Sequence, residues 1–356
     1  MATASPSHVQ GPSPARRVPR GVVLLMGLAA AVVVVAGMKA AESLVGPTFL
    51  ALVVVITAHP LREWLARRLP SWVATTLCLV VIYALAILLA VTLLVSAARL
   101  ASLLPDYQDD LDDLVSSFTG GLHRLGISTA QVDNLKEGFD LSRLTGVISS
   151  ALSDLLGVTS ALVLVLALVL FMAMDSAMFP RHLAAAADLR PHLVEALTDF
   201  AHGTRRYLVV STVFGLIVAV LDTVALALLD VPAPLLWGLL AFLTNYIPNI
   251  GFVIGLVPPA LLALLDGGWT DMLAVVAVYC ILNLVIQSGI QPRVVGDSVG
   301  LSTTLTFVSL VFWTWVIGPL GAILAIPLSL LVRAVLLDAD PASSWLRPLV
   351  TNRTDP

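Results

Sequence analysis

Charge is what this chain has least of. Lys, Arg, Asp and Glu make up 12% of its 356 residues, about half the share usual in soluble domains, while 58% of the chain is hydrophobic. That balance excludes an ordinary water-soluble globule. Cysteine is nearly missing, and both Cys78 and Cys280 lie inside apolar segments, which excludes a disulfide framework and a thiol-rich metal site. The usual catalytic signatures are absent as well. No Gly-rich loop ends in Gly-Lys-Ser/Thr to cradle a nucleotide, no His-Glu-x-x-His occurs, and Ser and Asp are scattered without a nucleophile elbow. His182, His192 and His202 share one loop without metal-ligand spacing, and read as solvated or interfacial groups. We expect neither an enzyme nor a cofactor, and no nucleic-acid partner.

What the chain has in abundance is long apolar runs, several near or above the ~20 residues that cross a hydrocarbon core. The sequence therefore predicts an all-α, multi-pass membrane protein with about eight apolar segments: 21–38, 44–58, 72–98, 155–174, 207–229, 235–266, 270–290 and 301–333. The first run reads as a membrane helix and not a signal peptide, because no small-x-small cleavage site follows it. The domain reading is a disordered N-terminus (1–20), N-terminal membrane helices (21–98), an insert (99–154), a helix with a basic loop (155–206), a C-terminal core (207–337) and a tail (338–356).

Basic residues set the expected orientation. Arg16, Arg17 and Arg20 precede the first span, Arg62, Arg67 and Arg68 follow the second, and Arg181, Arg190, Arg205 and Arg206 lie between the fourth and fifth. The positive-inside rule places these clusters and both termini in the cytoplasm of a bacterial inner membrane. Residues 99–154 then fall outside. They hold nine acids, and Leu100, Leu104, Tyr107, Leu111, Leu114 and Phe118 recur as an amphipathic helical stripe. That seam buries either against the rest of the insert or against a neighbouring subunit.

Two of the apolar segments are broken near their middles. One breaks at Ile247-Pro248-Asn249-Ile250-Gly251, the other at Ile317-Gly318-Pro319-Leu320-Gly321. A shift of 70 residues superposes Leu240, Phe242, Thr244, Ile247 and Gly251 on Leu310, Phe312, Thr314, Ile317 and Gly321. Interrupted, repeated helices are a pointer to a transporter site, since unwound backbone frees polar groups for a ligand. Arms of about fifteen residues reach ~22 Å, short of the ~30 Å core, so we expect two re-entrant hairpins in an inverted repeat.

Polarity inside the apolar segments marks the candidate site. Asp222 lies well within a span, where a carboxylate costs about 2.5–3.5 kcal/mol. It is either an ion-coupling group or a structural one that reaches toward Asp230 at the surface. Asn283 and Gln287 are four apart on one helical face, which Gln291 extends, as interhelical glue or as a polar lining. Asn245, Pro248, Asn249 and Gly251 cluster at the first break, where Pro248 removes an amide and is expected to leave a carbonyl free. Gly318, Pro319 and Gly321 mark the second break, beside Trp313 and Trp315. The substrate-binding set is thus Asn245, Pro248, Asn249, Gly251, Asn283, Gln287, Gly318, Pro319 and Gly321, with the two hairpin tips expected to meet around the solute.

The stretch Phe242-Leu243-Thr244-Asn245-Tyr246-Ile247-Pro248-Asn249-Ile250-Gly251, then Gln291-Pro292-Arg293-Val294-Val295-Gly296, then Gly318-Pro319-Leu320-Gly321 with Ala325-Ile326-Pro327, resembles the signature set of the autoinducer-2 exporter family. The order of spans, basic turn and insert matches along most of the chain. Asn249 stands where a bulky residue is common. The resemblance implies export of a small polar solute, with the quorum-sensing furanone autoinducer-2 as name-giving cargo. It also implies sodium- or lithium-for-proton exchange in some relatives, and a homo-oligomer such as a pentameric ring. We expect a secondary transporter with a small polar solute and the lipid bilayer as partners. A cation/proton antiporter using Asp222, or a membrane scaffold that moves nothing, are the alternatives.

Overall fold

The computed structural model describes residues 19–103 and 161–340, apart from 177, 249 and 291–301. The insert at 104–154 and the termini, for which the sequence made separate expectations, lie outside the described residues. Among those described, every regular element is a helix. Helix α1 (Arg20–Ala40) forms a unit by itself, 21 residues long, or about 31 Å.

The rest of the chain begins with α2 (Glu42–Ala66) and α3 (Ser71–Leu103), joined by a tight basic turn. The short apolar run at 44–58 is therefore part of a 25-residue helix. Arg62 Nε donates to Thr75 Oγ1 at 2.9 Å across the turn, and the Cys78 thiol points at the Ala58 carbonyl. Helix α4 (Ala161–Asp175) packs on this pair through Val165 and Val169, buried with Ala51, and Tyr83 donates its hydroxyl to the Leu166 carbonyl.

A short helix, α5 (Phe179–Ala187), leads to α6 (Pro191–Leu228), a helix of 38 residues with Pro191 in its first turn. The sequence expectation of a basic loop up to residue 206 is corrected here, because that stretch is helical. Ala196, Phe200, Thr204 and Leu208 recur every fourth residue and are all buried, a stripe sufficient to carry the helix through its charged half.

Then come α7 (Pro234–Thr244), α8 (Gly251–Gly267), α9 (Trp269–Asn283), extended by a π turn at Leu284–Ile290, and α10 (Thr303–Arg333), extended by a π turn at Ala334–Asp338. Helices α7 and α8 form an antiparallel hairpin. Buried Leu236 and Trp237 of α7 share a core with Ala260, Leu262 and Ala263 of α8, Leu226 of α6, and Val275 and Tyr279 of α9.

Helix α10 is a second hairpin in disguise. Its hydrogen bonding runs on through Ile317 (φ −128°, ψ 24°) and Gly318 (φ 66°, ψ −154°), neither of which is helical. Trp313 Nε1 donates to Ser329 Oγ at 3.1 Å, although sixteen residues of straight helix would part them by about 24 Å. The chain therefore doubles back at Gly318, where the left-handed φ suits glycine alone among common residues. Ser329→Ala should cost about 1 kcal/mol, and its effect should shrink in a Trp313→Phe background to what the Ser329 hydroxyl's own bond to the Ala325 carbonyl is worth; a double-mutant cycle on thermal unfolding checks this.

By length and composition, five of the described helices are able to cross a membrane: α2, α3, α6, α9 with its π turn, and α10, although α10 reaches that length only as two arms joined at Gly318. A sixth arises if α4 and α5 count as one bent span. The remaining apolar helices are shorter: Leu25–Ala40 within α1, and the two arms α7 and α8. The expected total of about eight apolar segments is reached only by including α1 and counting the α7–α8 hairpin as one.

Candidate functional site

The polar groups of the C-terminal half gather at the tip of the first hairpin. Gly238 brings α7 against α6 so closely that a Cβ there would overlap the Thr223 side chain. Gly255 likewise lets α8 approach Ala241 and Thr244 of α7. These contacts place Asn245, the first residue beyond α7, against the middle of α6. Its Nδ2 donates to the Ser211 carbonyl at 2.8 Å, and its Oδ1 accepts from Gln287 Nε2 at 3.1 Å.

Around this relay lies a small pocket walled by Asp222 and Val218 of α6, Ala241 and Thr244 of α7, Asn245, Phe252 and Gly255 of the second arm, and Tyr279, Asn283 and Gln287. Asp222 is 0% exposed. Among the described residues neither of its carboxylate oxygens has a hydrogen-bond partner, nor has the Tyr279 hydroxyl or Asn283 Oδ1. Buried polar atoms are nearly always paired, and each one left alone costs about 1–3 kcal/mol. Four such atoms meet in this one pocket, three of them acceptors and the fourth a hydroxyl. The enclosed space is no larger than a single water molecule.

Of the residues singled out from sequence, Asp222, Asn245, Asn283 and Gln287 are brought together. The Asn283/Gln287 stripe survives although Gln287 sits in the π turn, whose wider i→i+5 winding keeps positions four apart near one face. Asn249 and Gln291 lie outside the described residues. Gly318, Pro319 and Gly321 are not among the pocket walls. The second tip is seated instead on α2, with Leu320 packed against Gly46.

The backbone of the first tip departs from expectation. Rather than offering free carbonyls, it uses them: Thr244 O accepts from Ile247 N, Pro248 O from Ile250 N, and Ile247 O from Gly251 N, at 2.8, 2.8 and 3.1 Å. Pro248 lacks an amide, and the turn compensates by tightening onto its neighbours' donors. Gly251 and Gly321 close the two tips. A Cβ on Gly251 would overlap the Thr244 carbonyl oxygen, and one on Gly321 would overlap that of Trp313.

Sequence reasoning missed Tyr279 and the clasp on the tip. Tyr279 stands one turn before Asn283, and its carbonyl accepts from Asn283 Nδ2 at 2.9 Å. A lone Tyr four residues from an Asn in an apolar helix was the available signal. The clasp consists of Tyr207, whose hydroxyl donates to the Tyr246 carbonyl at 2.9 Å, and Thr212, 2.7 Å from the Tyr246 hydroxyl. No spacing within one segment announces it, because α6 and the tip are more than thirty residues apart. Trp313 is buried at its Ser329 contact, whereas Trp315 is exposed.

Comparison with known sequences decides the family. The pattern described as AI-2E family transporter matches residues 28–339. The chain belongs to the AI-2E transporter family. It is 31% identical over 320 residues to the AI-2 transport protein TqsA of Escherichia coli (strain K12), covering 88% of this chain and 91% of that one. A putative transport protein of Haemophilus influenzae is 32% identical over 324 residues, 89% and 92% of the two chains. YhhT of E. coli K12, also described as a putative transport protein, is 30% identical over 310 residues, 87% and 88% of the two. The apolar helices of this AI-2E transporter thus belong to a multi-pass membrane protein of a transporter family.

Proposed function

We propose that this protein is a secondary transporter that exports a small polar organic solute of the autoinducer-2 kind, and that the pocket at the first hairpin tip binds it. One observation carries the proposal: Asp222, Asn245, Asn283 and Gln287 converge from α6, the tip and α9 on one buried space whose acceptors have no partners. A solute rich in hydroxyl groups would supply the missing donors. The name of TqsA, an AI-2 transport protein, supports that cargo class. In this reading the two hairpins are re-entrant and form an inverted repeat, both termini face the cytoplasm, and the protein works as a homo-oligomer. The matching closure of both tips by Gly251 and Gly321, 70 positions apart, supports the repeat. Since the enclosed space is no larger than a water, it would be a closed state that widens as the tip moves from α6.

A second reading is favoured by that same small volume and by the bare Asp222 carboxylate: exchange of sodium or lithium for protons. Proteoliposomes loaded with a pH dye separate the two. Autoinducer-2 flux that falls about thirtyfold in Asn245→Ala is the expected outcome, since that change removes two buried hydrogen bonds of about 1 kcal/mol each. A proton flux driven by sodium or lithium, with no response to the organic solute, would replace the exporter with the antiporter. Silence to all three, with no flux of labelled solute, would favour the non-transporting scaffold.

A further inference from the structure

A second groove, sharing no residue with the Asp222 pocket, lies between α2, α3 and α4. Val55, Ala58, Leu79, Ile82 and Ala173 line its length, and His59, Arg62 and Thr75 close one end. Apart from that end the lining is apolar but for the Cys78 thiol and Ser176, whose hydroxyl is spent on the Ala173 carbonyl, so the groove has the polarity of an amphiphile. Its enclosed part holds no more than one or two water molecules, so a chain would lie along it as along an open furrow.

The polar end is built rather than incidental. Arg62 is held by two hydrogen bonds through one edge of its guanidinium, to Thr75 Oγ1 at 2.9 Å and Ser71 Oγ at 3.3 Å. Its planar fork keeps further donors for an oxyanion. Arg205 of α6 is fixed beside the same part of α2 by donating Nε to the Ile56 carbonyl at 3.1 Å. His59 Nδ1 is buried, 3.8 Å from Glu63 Oε1, too far for a hydrogen bond, and has no hydrogen-bond partner among the described residues. Arg67 and Arg68 continue the cluster on the turn. Among the described residues no carboxylate pairs with Arg62, Arg67, Arg68 or Arg205. The nearby acids, Glu63 and Asp175, are both exposed.

The surrounding aromatics fix the depth at which this end sits. Trp64 and Trp72 are 55% and 74% exposed on either side of the turn, and the Arg68 guanidinium lies 5.6 Å from the Trp64 ring centre. Exposed Trp with Arg on a membrane protein marks the headgroup level. Cations at headgroup level above an apolar groove that runs into the hydrocarbon match a lipid with an anionic head.

We propose that this groove is a binding site for an anionic phospholipid, its phosphate on Arg62 and His59 and one acyl chain along Val55, Ala58, Leu79 and Ala173. The lipid would fill the seam between α4 and the α2–α3 pair, next to the helix on which the second hairpin tip rests. Charge selects the head, and the apolar floor selects a chain over a free anion.

Native mass spectrometry on protein released from nanodiscs of phosphatidylglycerol and phosphatidylcholine in equal parts tests this. The expected result is preferential retention of phosphatidylglycerol, reduced about fivefold in Arg62→Gln, the equivalent of roughly 1 kcal/mol per Arg near an anionic headgroup. Should Arg62→Gln fail to fold, Ala58→Leu keeps every charge and fills the groove; it should lower retention while leaving the protein monodisperse. Equal retention of both lipids, or unchanged preference in the variant that folds, would overturn the proposal. So would displacement of the lipid by glycerol phosphate alone, which would assign the cluster to a free anion. A groove that stays lipid-free because a second copy of the chain occupies it would overturn it too.

Discussion

Asp222→Asn is expected to abolish transport while leaving the protein at least as stable as its parent. The two expectations come from the same atoms. Both carboxylate oxygens are buried and unpartnered, so the side chain is held at a cost that folding alone does not explain. Asparagine has the same shape without the charge, and can donate to Asn283 Oδ1 or the Tyr279 hydroxyl, which the carboxylate as placed leaves bare. A group serving the fold would lose stability on replacement; a group serving a ligand would lose function and gain stability. For the solute, one charge-assisted hydrogen bond is worth about 1.5–3 kcal/mol, or roughly ten- to a hundredfold in binding. Flux into proteoliposomes and thermal unfolding, measured on the same preparation, give both readings. Parent-like flux, or a melting temperature clearly below the parent's, would show that Asp222 is structural.

The second large effect is expected at the hairpin tips. Gly251→Ala and Gly321→Ala each place a methyl group on a backbone carbonyl oxygen, that of Thr244 or Trp313. A side chain can rotate out of the way; a carbonyl locked in a helix end does not. Overpacking usually costs about 1–3 kcal/mol, and these two positions belong at the upper end or beyond it, because relief requires parting the arms. Gly318→Ala tests a different cause. Nothing lies within 4 Å of a Cβ there, so the cost is conformational: φ 66° with ψ −154° is a region open essentially to glycine alone, at about 1–3 kcal/mol, and asparagine should fare no better than alanine. Thermal unfolding of the three variants should therefore order them, with both tip glycines worse than Gly318. If Gly251→Ala melts with the parent, the hairpin is not closed as described.

How much of this was legible beforehand depends on where the signal sits. The breaks were readable because glycine and proline interrupt an apolar run; that Gly251 and Gly321 close the tips was not, because the sequence reading gave those glycines to the ligand. Asp222, Asn283 and Gln287 were readable because polarity within an apolar span is costly. The meeting of those three with Asn245 was not, since it depends on Gly238 and Gly255 drawing three helices together. The second tip was expected beside the first, yet Leu320 sits on Gly46, a pairing between a hairpin apex and a residue in an early helix that no local pattern encodes. The helical stretch at 191–206 was missed because its Arg and His residues suggested a loop, while its buried stripe of every fourth residue is narrower than a span.

Helix α6 runs unbroken for 38 residues, about 57 Å at 1.5 Å per residue, nearly twice the ~30 Å thickness of a hydrocarbon core. One stiff rod thus carries Asp222 near one end and the charged stretch from Pro191 to Arg206 at the other. A tilt of about ten degrees about its middle would move each end by roughly 5 Å, a length set by the same rise per residue. Whatever grips the polar end of α6 in water therefore has a mechanical handle on a pocket it never touches.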